Sequence, residues 1–149
     1  MRHGLCLFLV VCVCACSGPD HDPRTDALAD GVYEVLAADD DPSALPSGGA
    51  GTRVLVFDRQ FIDGGSALPP EHVLLRIEGH APLDLTAPPT TSEANGRPVL
   101  LLTLDAEAGR SLEALTSRAE RAAVVVGGTI VTVHRIRTPI EGGRLQVSC

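Results

Sequence analysis

The chain contains no lysine and no tryptophan, and it has only one methionine and one tyrosine among 149 residues. Because aromatic residues make up 3% of the sequence, a hydrophobic core must be built from Val, Leu, Ile and Ala. All twelve basic side chains are arginines, they are scattered along the chain, and the formal net charge is −7. An acidic chain without a basic cluster argues against nucleic acid as a partner.

Long hydrophobic runs are also lacking after the first sixteen residues. No later stretch approaches the ~20 apolar residues that a membrane-spanning helix needs, which excludes a polytopic membrane protein. The length leaves room for one domain and for no second core of similar size.

The N-terminal segment has the layout of a secretory signal peptide. Arg2 and His3 precede the apolar run Leu5–Val13, and the small residue Ala15 stands immediately before Cys16. The segment from Leu5 to Ala15 would form roughly 16 Å of helix, against about 30 Å of hydrocarbon in a bilayer. We therefore predict that residues 1–15 are a signal peptide that is removed.

The sequence Val13-Cys14-Ala15-Cys16 resembles the bacterial lipobox, whose cysteine is lipidated on sulfur and becomes the new N-terminus. This resemblance implies a lipoprotein anchored through Cys16 by palmitate-type acyl chains, with two or more chains needed for stable membrane binding. The protein would then belong to the cell envelope and face the periplasm or the cell exterior. The alternative is an ordinary signal cleavage nearby that leaves no anchor.

Cysteine usage after this processing is minimal. Cys6, Cys12 and Cys14 would leave with the signal peptide and Cys16 would carry lipid, so that only Cys149 remains. No intramolecular disulfide is then possible, and stability must come from the core. A terminal thiol without a role is the expectation for Cys149, and an intermolecular disulfide or redox site is the alternative.

The remaining chain is predicted to be a polar, flexible tether over residues 16–30 followed by an α+β domain over residues 31–149. Strand patterns cover residues 31–37, 52–58, 72–78, 98–104, 123–126, 129–133 and 144–148. The run at 98–104 is almost continuously apolar, which favours a central strand covered on both faces. Residues 82–95 are predicted to form a loop or a short helical turn.

One amphipathic helix is predicted between the strands. Asp105 stands at the expected N-cap position, and Glu107 in the first turn is favourable to the helix dipole. Apolar residues then follow at spacings of three and four, namely Ala108, Leu112, Leu115, Ala119 and Ala122. The predicted fold is a mixed, mostly antiparallel sheet with this main helix packed on it.

Three stretches of the C-terminal third carry a family resemblance: Leu102–Gly109, Ala123–Gly128 and, most closely, Ile136–Ser148. The last reads Ile-Arg-Thr-Pro-Ile-Glu-Gly-Gly-Arg-Leu-Gln-Val-Ser. It resembles the head part of the first large extracytoplasmic domain of SecD, the SecDF P1 head, in the bacterial protein-translocation machinery. The clear similarity covers about a third of the chain, as one part of a domain of ordinary size.

The resemblance implies a fold and, more weakly, contact with polypeptide outside the cytoplasm. It also implies a family-like binding loop, whose residues here are Arg137, Pro139, Gly142, Gly143 and Gln146. The chain departs from the family at Val126–Gly128 and Thr132–His134, and Cys149 stands where the family has a glycine. The membrane helices of SecD have no counterpart in these residues, so no proton-driven transport is carried over.

Few residues suggest catalysis or metal binding. His72, His80 and His134 form no ligand-like pair, and Asp39–Asp41 lacks the spacing of a calcium loop. No nucleophile and base share a recognisable local motif. We therefore expect no metal, no cofactor and no catalytic residue.

The function predicted from the sequence is a lipid-anchored, non-catalytic binding module outside the cytoplasm. Its partners would be the membrane through the anchor and, beyond that, envelope proteins or unfolded polypeptide. The alternatives are a structural or assembly role in the envelope, and an enzyme that uses His134, His80 and nearby acids.

Overall fold

A computed structural model describes residues 27–59, 68–94 and 96–148 of the chain. The predicted signal peptide, Cys16, most of the tether and Cys149 lie outside the described residues. No helix within the described ranges is long and apolar enough to cross a membrane.

The domain consists of eight strands and one α-helix in the described part of the chain. The strands are β1 (Gly31–Asp39), β2 (Thr52–Phe57), β3 (Glu71–Pro82), β4 (Thr90–Ala94), β5 (Arg97–Thr103), β6 (Arg121–Val126), β7 (Thr129–Arg135) and β8 (Arg144–Ser148). Helix α1 (Ala106–Thr116) lies between β5 and β6, and a short 3-10 turn covers Pro42–Ala44. The α+β prediction is confirmed at this level.

The strands form two sheets. One has five strands in the order β2-β3-β1-β6-β7, and the other has three in the order β4-β5-β8. The larger sheet curls into a half-barrel, so that its edge strands β2 and β7 approach each other. Every strand pair in the described residues is antiparallel, so the prediction of a mixed sheet is wrong. Two of these pairs, β4–β5 and β6–β7, are hairpins whose two-residue connections permit only antiparallel pairing.

The two faces of the five-stranded sheet carry separate hydrophobic clusters. All five strands contribute to the inner cluster, which contains Tyr33, Val35, Phe57, Val73, Leu75, Ala123, Val125 and Ile130. The outer cluster joins Val32, Ala81, Ala122 and Val124 to residues of α1, β5 and β8. Neighbours such as Val32 and Tyr33 fall into different clusters, because successive side chains of a strand point to opposite faces.

Helix α1 begins where the sequence predicts. The Asp105 carboxylate accepts hydrogen bonds from the backbone N–H groups of Glu107 at 2.9 Å and Ala108 at 2.8 Å. The helix ends at Thr116, so the predicted helical stripe is too long. Ala119 and Ala122 are buried as expected, but Ala122 lies in β6, because the chain must leave the helix before that strand begins at Arg121.

The hairpin predicted at Gly127 and Gly128 is confirmed. These residues join β6 to β7 with φ angles of 57° and 75°, the left-handed pair that a two-residue type I′ turn requires. The closing strand β8 also forms at residues 144–148.

Two predictions about the second sheet are wrong. Strand β5 is central, and Leu102 on one face is 6% exposed. On the other face Val99 is 4% exposed but Leu101 is 39% exposed, so that face is only partly covered. Residues 82–95 contain strand β4, where the sequence predicts a loop or a short helical turn. Its residues Thr90–Glu93 are polar and exposed, and because they lack an apolar period, only their pairing with β5 reveals the strand.

Candidate functional site

Strand β8 is an edge strand with one partner, β5, among the described residues. Leu104 donates its backbone N–H to the carbonyl of Gly143 at 2.8 Å, and Thr103 stands opposite Arg144. In an antiparallel ladder, bonded and non-bonded pairs alternate, so the backbone groups of Leu145 and Val147 point toward β5. Those of Arg144 and Gln146 point to the free edge.

A cavity of about 160 Å³, here called the polar cavity, lies beside this edge. Its polar lining includes His134 and Arg135 from β7, Arg137 from the following loop, and Gln146 from β8. Leu145 lines the same cavity, although neighbouring side chains of a strand point to opposite faces. The cavity therefore reaches the backbone edge of β8.

A second cavity of about 300 Å³, here called the apolar cavity, adjoins the first. Its lining is almost entirely aliphatic and includes Val126, Val131 and Val147. Val126 and Val131 are 44% and 47% exposed, which is unusual for valines that flank a hydrophobic core. Val124 lines both cavities, and the two cavities together are here called the β6–β8 cleft.

The register of the strands orders the cleft from one end to the other. Along β8, Leu145 lines the polar cavity and Val147 the apolar cavity. Along β7, His134 lines the polar cavity and Val131 the apolar cavity. The cleft therefore follows the direction of the strands, with a cationic end and an aliphatic end.

His134 lies half-buried in the polar cavity. Its Nε2 is 3.2 Å from the hydroxyl oxygen of the buried Thr132, two residues earlier on the same strand. Burial lowers the pKa of His134, because desolvation disfavours the charged imidazolium. No carboxylate is among the described residues that line this cavity, so the acids invoked in the enzymatic alternative are not brought to His134.

The other histidine of that alternative has different neighbours. His80 stacks on Tyr33 with ring centroids 4.7 Å apart, and its Nδ1 is 3.1 Å from the carbonyl oxygen of Ile77. The Tyr33 hydroxyl donates to the carbonyl of Ala29, and burial, followed by the charge of Asp30, raises the Tyr33 pKa. These contacts give His80 a packing role at the end of the half-barrel.

The acidic run Asp39–Asp41 is used locally. The Asp41 carboxylate caps the 3-10 turn by accepting from the backbone and hydroxyl of Ser43, and the Ser43 bonds lower its pKa. Asp40 pairs with Arg59 at 2.7 Å, and Asp39 accepts from the backbone of Asp41. Within the described ranges, no three side chains of the metal-ligating types come together.

The five residues of the family-like loop are divided between places. Arg137 and Gln146 line the polar cavity, and Pro139 is exposed outside it. Gly142 and Gly143 lie near the start of α1 instead. Both have positive φ, and a Cβ added to Gly143 would lie 3.2 Å from the Cα of Gly109. Close packing against Gly109 accounts for Gly143, and the positive φ alone accounts for Gly142.

Sequence reasoning missed three lining residues of the cleft. Val126 and Val131 were assigned to hairpin strands with no surface role, and Arg135 was not singled out. No local signal in the sequence marks them. A bulge leaves Val131 without a partner on β6, yet buried and exposed residues still alternate from Thr129 to Thr132. The bulge itself becomes visible only when the register of β6 and β7 is known.

No protein-family model matches the chain, and neither a curated protein nor a solved structure shows significant similarity to it.

Proposed function

We propose that this chain is a lipid-anchored module of the cell envelope that binds extended polypeptide segments outside the cytoplasm and catalyses no reaction. The single observation that carries polypeptide binding is the free edge of β8 beside the β6–β8 cleft. A strand added to this edge would bond to the backbone of Gln146 and place alternate side chains in the cleft. Recognition of this kind needs no catalytic residue.

The proposal includes a layered arrangement of the domain. Helix α1 and the three-stranded sheet form a second layer on the outer face of the large sheet, and this layer stops short of β7. In support, Ala108, Leu112 and Leu115 of the helix belong to the outer cluster, whereas Val126 and Val131 are exposed. An added strand would extend the second layer and cover these valines.

The resemblance to the SecD head supports the same function. The segment with the closest similarity, residues 136–148, forms β8 and the loop that leads to it, and Arg137 and Gln146 of this segment line the cleft. We therefore propose polypeptide contact at this segment, and we extend the proposal to no transport activity.

The test of polypeptide binding uses the full chain, produced with its leader and purified in mild detergent. The probe is fluorescently labelled α-lactalbumin that has been reduced and carboxymethylated so that it stays unfolded. We expect saturable binding with a dissociation constant below about 100 µM, measured by anisotropy. Absence of binding at that concentration would contradict the proposal.

Two substitutions of Gln146 separate the backbone from the side chain. Gln146→Pro removes the outward N–H and is tolerated at an edge strand, so binding should weaken about three- to tenfold. Gln146→Ala keeps the N–H and is the matched control, with binding expected to change by less than about twofold. Equal effects of the two substitutions would contradict strand addition, provided that thermal unfolding shows both variants to be folded.

Anchoring is tested independently. Mass spectrometry of the protein from a bacterial envelope should find the N-terminal residue to be an acylated Cys16. Cys16→Ser should abolish the acyl mass and release the protein from membranes, whereas Cys14→Ser should leave both unchanged. Acylation that persists in Cys16→Ser would overturn the assignment.

A further inference from the structure

We infer that the β6–β8 cleft selects an extended segment in which an aliphatic side chain is followed, two to four residues later, by a carboxylate. This inference rests on the proposed function and adds the chemistry and direction of the ligand.

The end of the cleft formed by the polar cavity is positively charged. Arg135 and Arg137 line the polar cavity, and neither side chain has an ion pair or hydrogen bond within the described ranges. Both are exposed, in a chain with a net charge of −7. Two unpaired arginines at one end of a cleft without lining carboxylates there attract a negatively charged group.

The apolar cavity at the opposite end disfavours a negatively charged side chain. Val126, Val131 and Val147 line the apolar cavity, and the one charged residue there is Asp30. The Asp30 carboxylate accepts the backbone N–H of Gly127 at 2.7 Å, which holds it at this position. A second carboxylate at this end would be desolvated and repelled, whereas an aliphatic side chain would gain apolar contacts.

The direction of the ligand follows from the strand register. Strand β8 runs from the polar cavity at Leu145 to the apolar cavity at Val147. An added strand that pairs antiparallel, the more stable mode and the mode of every described pair, runs the opposite way. Its aliphatic residue therefore precedes its acidic residue.

The spacing follows from the length of the cleft. Leu145 and Val147 are two residues apart along β8. Ala122 and Val126, which line the polar and the apolar cavity, are four residues apart along β6. At about 3.3 Å per residue, these separations correspond to roughly 7 and 13 Å. An even spacing of two or four residues also keeps both ligand side chains on the face that points into the cleft.

The experiment compares four synthetic peptides that are acetylated at the N-terminus and amidated at the C-terminus. The first alternates Val and Ser and carries Glu four residues after the first Val. The second has Gln in place of Glu, the third moves Glu by one position, and the fourth reverses the sequence. We expect the first peptide to bind the full chain about fivefold more tightly than each of the others, since two exposed ion pairs contribute about 1 kcal/mol together.

Variants of the protein test whether Arg135 and Arg137 recognise the Glu side chain of the peptide. In the double variant Arg135→Gln, Arg137→Gln, the first two peptides should bind equally, whereas Arg97→Gln should retain the preference. Arg97 is a matched control because it is exposed in β5 and lines neither cavity. A preference that survives in the double variant would overturn the role of these arginines.

The outcomes distinguish the two proposals. Equal binding of the Glu and Gln peptides to the unmodified chain would overturn the inferred ligand chemistry while leaving polypeptide binding intact. Tighter binding of the reversed peptide would overturn the inferred direction. Binding of neither the peptides nor unfolded α-lactalbumin would overturn both proposals together.

Discussion

The two faces of the five-stranded sheet differ in how completely they are covered. The inner face is enclosed by the curl of the sheet, and Val73, Leu75 and Ala123 there are 0% exposed. The outer face is equally buried at Ala81 but leaves Val126 and Val131 more than 40% exposed. Valine and leucine occur on both faces, although Tyr33 and Phe57 lie only in the inner cluster, so the presence of aliphatic residues alone does not distinguish a core from a binding surface.

The position of a valine relative to the sheet edges decides whether it is buried in the core or exposed. Val125 belongs to the inner cluster and is 0% exposed, whereas Val126, the last residue of β6, is 44% exposed and lines the apolar cavity. Both clusters therefore stabilise the fold, and we propose ligand contact only at the exposed valines of the outer face.

The largest expected effect distinguishes the two faces by a pair of side-chain truncations. Leu75→Ala removes a fully buried side chain from the inner cluster and should cost about 2–5 kcal/mol of unfolding free energy, measured by urea denaturation. Val131→Ala removes a half-exposed side chain from the cleft and should cost less than about 0.5 kcal/mol. Similar losses for both variants would show that the cleft is part of the core.

A second comparison concerns the two glycines of the family-like loop. Gly142→Ala places a side chain in open space at a φ of 68°, and should cost about 1–2 kcal/mol. Gly143→Ala has nearly the same φ but also brings a Cβ to 3.2 Å from Gly109, so that its loss should be clearly larger. Equal losses, again from urea denaturation, would contradict the packing role of Gly143.

A third comparison concerns the start of α1, which contributes to the outer cluster. Asp105→Ala removes the N-cap acceptor and should lower the unfolding free energy by about 1 kcal/mol. Glu107→Ala keeps the cap and loses only a favourable charge in the first turn, so a few tenths of a kcal/mol are expected. If the Glu107 variant were the less stable one, the cap would not be what fixes the start of this helix.

The smallest expected effect is a pH dependence of the folding stability that is caused by His134. The pKa of His134 is lowered in the folded protein, so between that value and the unfolded value near 6.5 the unfolded chain binds more protons. Stability should therefore fall as the pH is lowered from about 7 through this window. The melting temperature of His134→Gln should fall less over the same range, and an identical decline in both proteins would exclude His134 as the cause.

Local signals in the sequence were sufficient to predict several elements. The Asp105 cap, the Gly127-Gly128 turn and the apolar runs of β1, β6 and β7 each depend on neighbouring residues, and each is confirmed. Strand β4 and the exposed face of β5 depend instead on which strands become partners. A run such as Thr90–Glu93 contains no local sign of that pairing.

The candidate site could be predicted only in part for the same reason. Arg137 and Gln146 were identified through the resemblance, and both line the cleft. Val126 and Val131 were not, because their exposure depends on which strands face them in the folded chain, which no local pattern encodes. Gly143 was assigned to binding, but its closest neighbour across the fold is Gly109 on the helix.

Strand addition at β8 is tested most directly by amide hydrogen exchange of the full chain. The exchange is recorded with and without the peptide that carries Glu four residues after the first Val. The outward amides of Arg144 and Gln146 should exchange rapidly in the free protein and become protected on binding, while the inward amides of Leu145 and Val147 should be slow in both states. Protection that instead appears at β2 or β4, or at no strand edge, would contradict the claim that β8 receives the ligand.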